Sequence, residues 1–526
     1  MTRRIQLFLA VLMSFSSVFA QRNSTELLLE KLQIAALATS RLYVDTVNEE
    51  KLVEDAIRGM LKELDPHSTY SSAEETRKLN EPLQGNFEGI GVQFNMVEDS
   101  LVVIQTVSKG PSEKVGIMAG DRIVSVNDTA IAGVKMSQDE IMKRLRGPKG
   151  SKVNLGVIRK GAKNKLNFVV SRDKIPVTTL DAAYMIRPGI GYIRLGSFGN
   201  TTHKEMMTAV KKLQKEGMQK LVLDLRDNGG GYLHSSVDIA NEFLQSHDLV
   251  VYTEGLNSKK REYKANGNGM LKDVPVVVVV NQNTASAAEI LTGAIQDQDR
   301  GMVVGRRTYA KGLVQRPVDL PDGSMIRLTI ARYYTPSGRC IQKPYEKGDK
   351  AGYSKDLNNR LQHGELSNAD SIHVDDSLKF KTLKKGRTVY GGGGIIPDVF
   401  IPLDTTRATP YYTKLVTNSI FIRTTLKFID QHRASLKKTY PTFEKYLNEF
   451  LVGEELTALL RKEGESAGIE YNEKEYLESK HYIDLHLKGL IARDIWDMGE
   501  YYHIINEDSD EVKKAIELLR NPEEIK

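Results

Sequence analysis

The sequence predicts a multidomain α/β chain, and three observations predict it. The length, 526 residues, leaves room for several domains. From Ile190 onward, short β-branched runs alternate with amphipathic helical stretches, the pattern of a parallel sheet covered on both faces. A glycine-rich segment of alternating hydrophobicity precedes that region, and segments of helical period lie at both ends of the chain. Apolar residues make up 40% and charged residues 27%, with a formal net charge of +6. Basic and acidic residues are interspersed, so there is no electrostatic footprint for nucleic acid and no nucleic-acid partner is expected.

The first twenty residues, "MTRRIQLFLAVLMSFSSVFA", have two arginines, an apolar run and a small-residue end. This is the layout of a signal peptide (1–20) cleaved before Gln21, with an uncleaved anchor as the alternative, so the protein is expected to be exported, to the periplasm first, with extracellular release or membrane association as the other destinations. No later stretch is long and apolar enough to span a bilayer. Cys340 stands alone, so no internal disulfide forms, and without a nearby histidine it reads as a packed thiol.

Residues 21–83 read as helical. In "NEEKLVEDAIRGMLKEL" the residues Val53, Ile57, Met60 and Leu64 share one face, and Asn48 is the expected cap. Pro66 in "DPHS" stops the helix. Residues 84–175 form a strand-rich module of domain size, with a capping box at Ser137 and Glu140 and a hairpin around Lys160-Gly161. Residues 176–405 alternate strand and helix, interrupted by a polar insertion, 343–388, whose lack of periodicity reads as a loop. Residues 406–526 are again helical.

Chemistry concentrates at the turn after "VPVVVVV". Ser286 follows a buried strand and opens a helix, with Glu289 three residues on. That spacing is a capping box. The same place, at the carboxyl end of a parallel strand and beside helix N-terminal amides, also suits a nucleophile. A nucleophilic serine needs a base. Among ten histidines, His67 is explained by helix termination, His481 and His486 are badly spaced for a metal, and His234 is the one serious candidate. Lys311, in "GRRTYAKGLVQ", is the other, because its apolar neighbours permit the burial that lowers a lysine pKa. "DLRDNGGG" places Gly229, Gly230 and Gly231 after a core strand, where backbone amides can converge on one point.

Taken together, "LDPHSTY" (64–70), "GIGVQF" (89–94), "GPSEKVGIMAGDRIVSVND" (110–128), "LDLRDNGGG" (223–231), "NQNTASAAEI" (281–290), "TYAKGLVQ" (308–315), "YYTPSGR" (333–339) and "GGGGIIPDV" (391–399) resemble the C-terminal processing peptidases, or tail-specific proteases, in family order over about residues 30–405. The resemblance implies a crotonase/Clp-protease-like αββ core sheet with an inserted PDZ domain (84–175) and helical N- and C-terminal regions. It implies Ser286 as nucleophile, Lys311 as general base, Gln315 as the residue that orients the lysine, and Asp297 as a supporting acid. It implies an oxyanion hole from Ala287 and one of Gly229 and Gly230. The module would hold a substrate carboxylate at Gly89-Ile90-Gly91-Val92 and a tail against the helix carrying Ile141 and Leu145. No metal or cofactor is implied. Substrates would be proteins or peptides with accessible C-termini, and the helical regions could dimerise, dock an adaptor or brace the core. The rival reading is a catalytically silent PDZ-containing scaffold.

Overall fold

The computed structural model describes residues 25–97, 99–404 and 408–521. The proposed signal peptide lies outside the described residues. No helix among the described residues is long and apolar enough to cross a membrane.

Two compact units are present. Of the described residues, the smaller comprises 25–76 together with Gln315–Thr329 and Tyr345–Ser354. Its helix Glu49–Lys62 starts where expected, with the Asn48 side chain accepting from the Lys51 N–H at 2.9 Å. Its apolar face is another matter: Val53 and Met60 are half exposed, and Leu61 is the buried position. The strand Thr69–Ser71 pairs antiparallel with Met325, Ile326 and Arg327. Between helix and strand, Asp65 accepts from the His67 and Ser68 amides and from the Thr329 hydroxyl, which pins the "DPHS" turn.

The larger unit is built around a six-stranded sheet in the order Leu180–Arg187, Ile190–Leu195, Lys220–Asp224, Val276–Val280, Met302–Gly305, Val399–Phe400. The first pair is antiparallel and every other neighbour is parallel. Strands buried on both faces need apolar residues on both, which explains the unbroken run Val276–Val280. One face packs on the helices Thr202–Lys215, Leu233–Asn241 and Ala287–Asp297. The other face, carrying Tyr192, Val222, Val277, Val279 and Val304, is covered by the helix Asp510–Arg520 through Val512, Ala515, Ile516, Leu518 and Leu519. The helix Asp510–Arg520 is therefore part of the core. The helices between 410 and 506 keep an aromatic-rich core of their own.

The strand-rich module has sheet order Val92–Val97, Ser100–Thr106, Arg122–Val126, Lys152–Ile158, Leu166–Ser171. Its helix Gln138–Leu145 opens with the expected capping box. Ile141 and Leu145 are 0% and 3% exposed within the module's core. They hold the helix onto the sheet: one turn apart on one helix face, they point inward.

The insertion 343–388 is not a loop. It contains the helix Lys350–Gln362, two short 3₁₀ turns, and a hairpin of Lys379–Lys381 with Thr388–Tyr390. Its helix has no apolar stripe, and hydrophobic periodicity does not register a segment held by ion pairs. Arg360 donates to the carbonyls of Arg307 and Thr308 at 2.6 and 3.0 Å, and Glu365 accepts from Arg360 and Arg307, both at 2.7 Å.

Candidate active site

Three loops leave the carboxyl ends of adjacent parallel strands and meet. Residues 225–231 follow Lys220–Asp224, residues 281–286 follow Val276–Val280, and residues 306–311 follow Met302–Gly305. They are tied by backbone bonds: Ala285 N–H to the Asn228 carbonyl at 2.9 Å, and Tyr309 N–H to the Thr284 carbonyl at 3.0 Å. The site thus occupies the place where open α/β sheets gather function.

Ser286 lies at φ 57°, ψ −117°, a backbone conformation costly for a residue with a side chain. What holds it there is Glu289. This fully buried carboxylate accepts the Ser286 N–H at 2.8 Å and the Lys311 N–H at 2.9 Å on one oxygen. Its other oxygen accepts the Ala310 N–H at 2.8 Å and the Thr308 hydroxyl at 2.5 Å. Two nitrogens bound to one oxygen lie within about 6 Å of each other, so Ser286 and Lys311 are adjacent at the backbone. Burial pushes the Glu289 carboxyl above its ordinary range, against the pull of its four donors. The Glu289 N–H has a backbone acceptor, the Ser286 carbonyl at 2.9 Å, so the helix does not depend on the serine hydroxyl for that amide.

A second bridge closes the same pair from the carbonyl side. The Tyr333 hydroxyl lies 2.7 Å from the Lys311 carbonyl and 3.2 Å from that of Ser286. Sequence reasoning missed Tyr333. Its place in "YYTPSGR" marked the motif but not the role, since nothing local links residue 333 to residue 286. Ala310, at φ 74° and wholly buried, is strained in the same way as Ser286. Ser286 and Lys311 themselves are half-buried, so both are shielded yet within reach of a substrate.

The glycine loop presses against the serine turn. A Cβ on Gly230 would stand 2.8 Å from Ser286 Cβ and the Ala285 carbonyl oxygen, and 2.9 Å from the Ala287 nitrogen, and its φ is 94°. Only glycine fits there. The Gly230 N–H is taken by Asn228 Oδ1 at 2.9 Å. Of the two glycines considered, Gly229 has open space beside its Cα.

Other expected residues fall elsewhere. Asp297 ends the serine helix, about 15 Å along its axis from Ala287. There it pairs with Arg339 at 2.6 Å, both wholly buried, and accepts from the Ser337 amide and hydroxyl at 3.0 and 2.6 Å. It therefore anchors the "TPSGR" turn. Gln315, in the smaller unit, donates its amide to the His67 carbonyl. His234 is exposed, with its ring stacked on Tyr232. His481 pairs with Asp508 at 2.9 Å and His486 with the Tyr412 hydroxyl at 3.0 Å. Burial raises the pKa of the Cys340 thiol.

In the strand-rich module, Gly91 has φ 71°, and the Ile90 carbonyl accepts the Ser112 amide and hydroxyl at 3.1 and 2.6 Å. Among the described residues, Val92–Val97 pairs with a strand on one side only.

Comparison with known proteins places the chain in a family. Residues 189–349 match the model of peptidase family S41, 89–170 that of the PDZ domain, 13–76 that of an activating-protease CtpB N-terminal domain, and 411–497 that of a family of unknown function. The chain is 34% identical to the carboxy-terminal processing protease CtpB of Bacillus subtilis over 318 residues, which span 60% of this chain and 66% of that one. It is 33% identical to CtpA of the same organism over 375 residues, 68% of this chain and 79% of that one. Among solved structures, the photosystem II D1 C-terminal processing protease aligns at 29% identity and a TM-score of 0.35, over 70% of this chain and 86% of that one. The fold is the multidomain α/β architecture of such proteases, with an inserted PDZ domain and helical ends. The chain belongs to peptidase family S41, among the carboxy-terminal processing serine proteases that carry a PDZ domain.

Proposed function

We propose that this protein is an exported endopeptidase that uses a Ser286–Lys311 dyad on substrates recognised by their C-terminal tails. The observation that carries the dyad is the shared Glu289 oxygen, which holds the backbones of both residues in one place. Lys311 takes the proton from Ser286 Oγ as that oxygen attacks the scissile carbonyl, and returns it to the departing amine. Water then hydrolyses the acyl-enzyme with the lysine again as base. The Ala287 and Gly229 amides receive the oxyanion, since the Gly230 N–H is already engaged. Export rests on the twenty-residue leader, and the periplasm is the compartment we propose, with extracellular release as the alternative.

In the PDZ domain, the amides around Gly89–Val92 capture a free α-carboxylate, and the tail adds as a strand along the open edge of Val92–Val97. The tail packs against the helix Gln138–Leu145, which carries Ile141 and Leu145.

Purified Ser286→Ala and Lys311→Ala are expected to lose cleavage of a tailed substrate by about 10³-fold or more while keeping the wild-type far-ultraviolet spectrum. Full activity in either one removes it from the mechanism. Wild-type cleavage is expected to rise with pH, and a flat profile over about pH 5 to 9 argues against a lysine base. The silent-scaffold reading predicts that the wild type binds tails without cutting them.

A further inference from the structure

Two of the site's three loops meet a second time on a residue more than 200 positions further along the chain, and the third is tied to them through one of the same side chains. Glu511 lies in the first turn of the helix Asp510–Arg520. One carboxylate oxygen accepts from Arg306 at 2.8 Å and the other from Arg226 at 3.2 Å. Arg226 belongs to the glycine loop, three residues before Gly229. Arg306 opens the lysine loop, and its Nε donates to Gln282 Oε1 in the serine turn at 3.0 Å. The three side chains are nearly buried, at 14%, 6% and 12% exposure for Arg226, Arg306 and Glu511.

The neighbours make this more than a chance contact. Arg226 also donates to Ser509 Oγ at 2.7 Å and Asn506 Oδ1 at 3.1 Å, while its Nε and Nη2 grip the fully buried Asp224. Arg194 donates to the Arg226 carbonyl at 2.7 Å. Asp227, at a strained φ of 61°, receives the side-chain amides of Asn281 and Asn283 at 2.8 and 3.0 Å. Burial alone would raise the Glu511 pKa, and the two guanidiniums hold it below its ordinary value. A charge this deep, matched to two cations from two different loops, specifies the spacing of those loops.

We propose that Glu511, with Ser509 and Asn506, is a positioning residue for catalysis, setting the glycine, serine and lysine loops in register from the C-terminal region. The inference rests on the Ser286–Lys311 reading. It makes the helical region after 406 a working part of the peptidase: whatever shifts residues 506–511 shifts the oxyanion amide and the base together.

The test uses the full-length protein. Wild type, Glu511→Gln and Ser286→Ala are assayed on a tailed peptide below the melting temperature of each, with folding checked by circular dichroism and Ser286 reactivity read by a fluorophosphonate probe. Glu511→Gln is expected to lower kcat and probe labelling by about tenfold or more, with KM within about twofold, because loop misplacement strikes the transition state and not tail binding. A folded Glu511→Gln with kcat and labelling within about twofold of wild type overturns the proposal. Should Glu511→Gln not fold, Ser509→Ala decides: a kcat loss of about threefold at unchanged KM supports it, and wild-type kinetics overturn it. An inactive, unlabelled wild type would instead defeat the dyad reading itself.

Discussion

Glu289 shows how one side chain can serve two descriptions. Read locally it is the second half of a capping box. In the fold it is the joint between the Ser286 and Lys311 backbones, accepting from Ser286, Thr308, Ala310 and Lys311. Glu289→Gln sets an amide NH₂ against a group of donors in a buried site, where each unmatched group costs about 1–3 kcal/mol. The expected result is a lower melting temperature with strongly reduced cleavage, measured by calorimetry and peptide assay. Gly230→Ala should be as damaging, since its methyl meets backbone at 2.8 Å in a left-handed conformation. The acid limb of stability belongs to this scale as well. Burial would raise the Asp224 and Glu511 carboxyls, but Arg226 with Arg194 and Arg306 holds both below their ordinary values. Their folded-state pKa values therefore lie below the unfolded ones. They stabilise the protein at neutral pH, and that contribution is lost as pH falls below the ordinary carboxylate range and through the depressed values. Unfolding midpoints of the wild type should drop through that window, and those of Glu511→Gln should be lower at pH 7 and change less with acid.

Among the elements, the insertion is the one whose form and purpose were hidden. Its helix Lys350–Gln362 carries Arg360 in its last turn, and Arg360 reaches the carbonyls of Arg307 and Thr308 in the lysine loop. Arg360→Ala leaves those carbonyls unpaired and strips one cation from Glu365, a loss of roughly 2–4 kcal/mol. Slower cleavage together with a lower melting temperature is the expected outcome; unchanged values would show that the insertion does not brace the site. The PDZ domain is likewise held by an element distant in sequence. Leu426 of the helix Ile420–Thr439 packs on Val97, Val102 and Ile104, and Asp430 of the same helix pairs with Arg122 at 2.9 Å. That small apolar patch and one partly exposed ion pair are a weak fastening.

For the whole molecule, the final helix decides the boundary of the peptidase core. Ending the chain at residue 509 uncovers Tyr192, Val222, Val277, Val279 and Val304, which are all fully buried. The truncated protein is expected to bind a hydrophobic dye or aggregate, and Leu519→Ala alone to cost about 2–5 kcal/mol. A truncated protein with wild-type solubility and melting would show that the sheet does not need this layer.

The sequence by itself determined the α/β class, the parallel sheet, the strand-rich module and the positions of Ser286, Lys311 and the glycine loop. These are written in short-range patterns: β-branched runs, caps, and glycines where no Cβ fits. Even the alternatives for Ser286 were visible there, as cap or nucleophile. Only the tertiary structure decided how the three loops are joined. Glu289 and Tyr333 bridge residues 286 and 311, Glu511 gathers Arg226 and Arg306, and the last helix completes the sheet. Each of these contacts is a hydrogen bond, an ion pair or a packing surface between segments far apart in the chain. No local periodicity records such pairings, because they exist only once the backbone has brought the partners together.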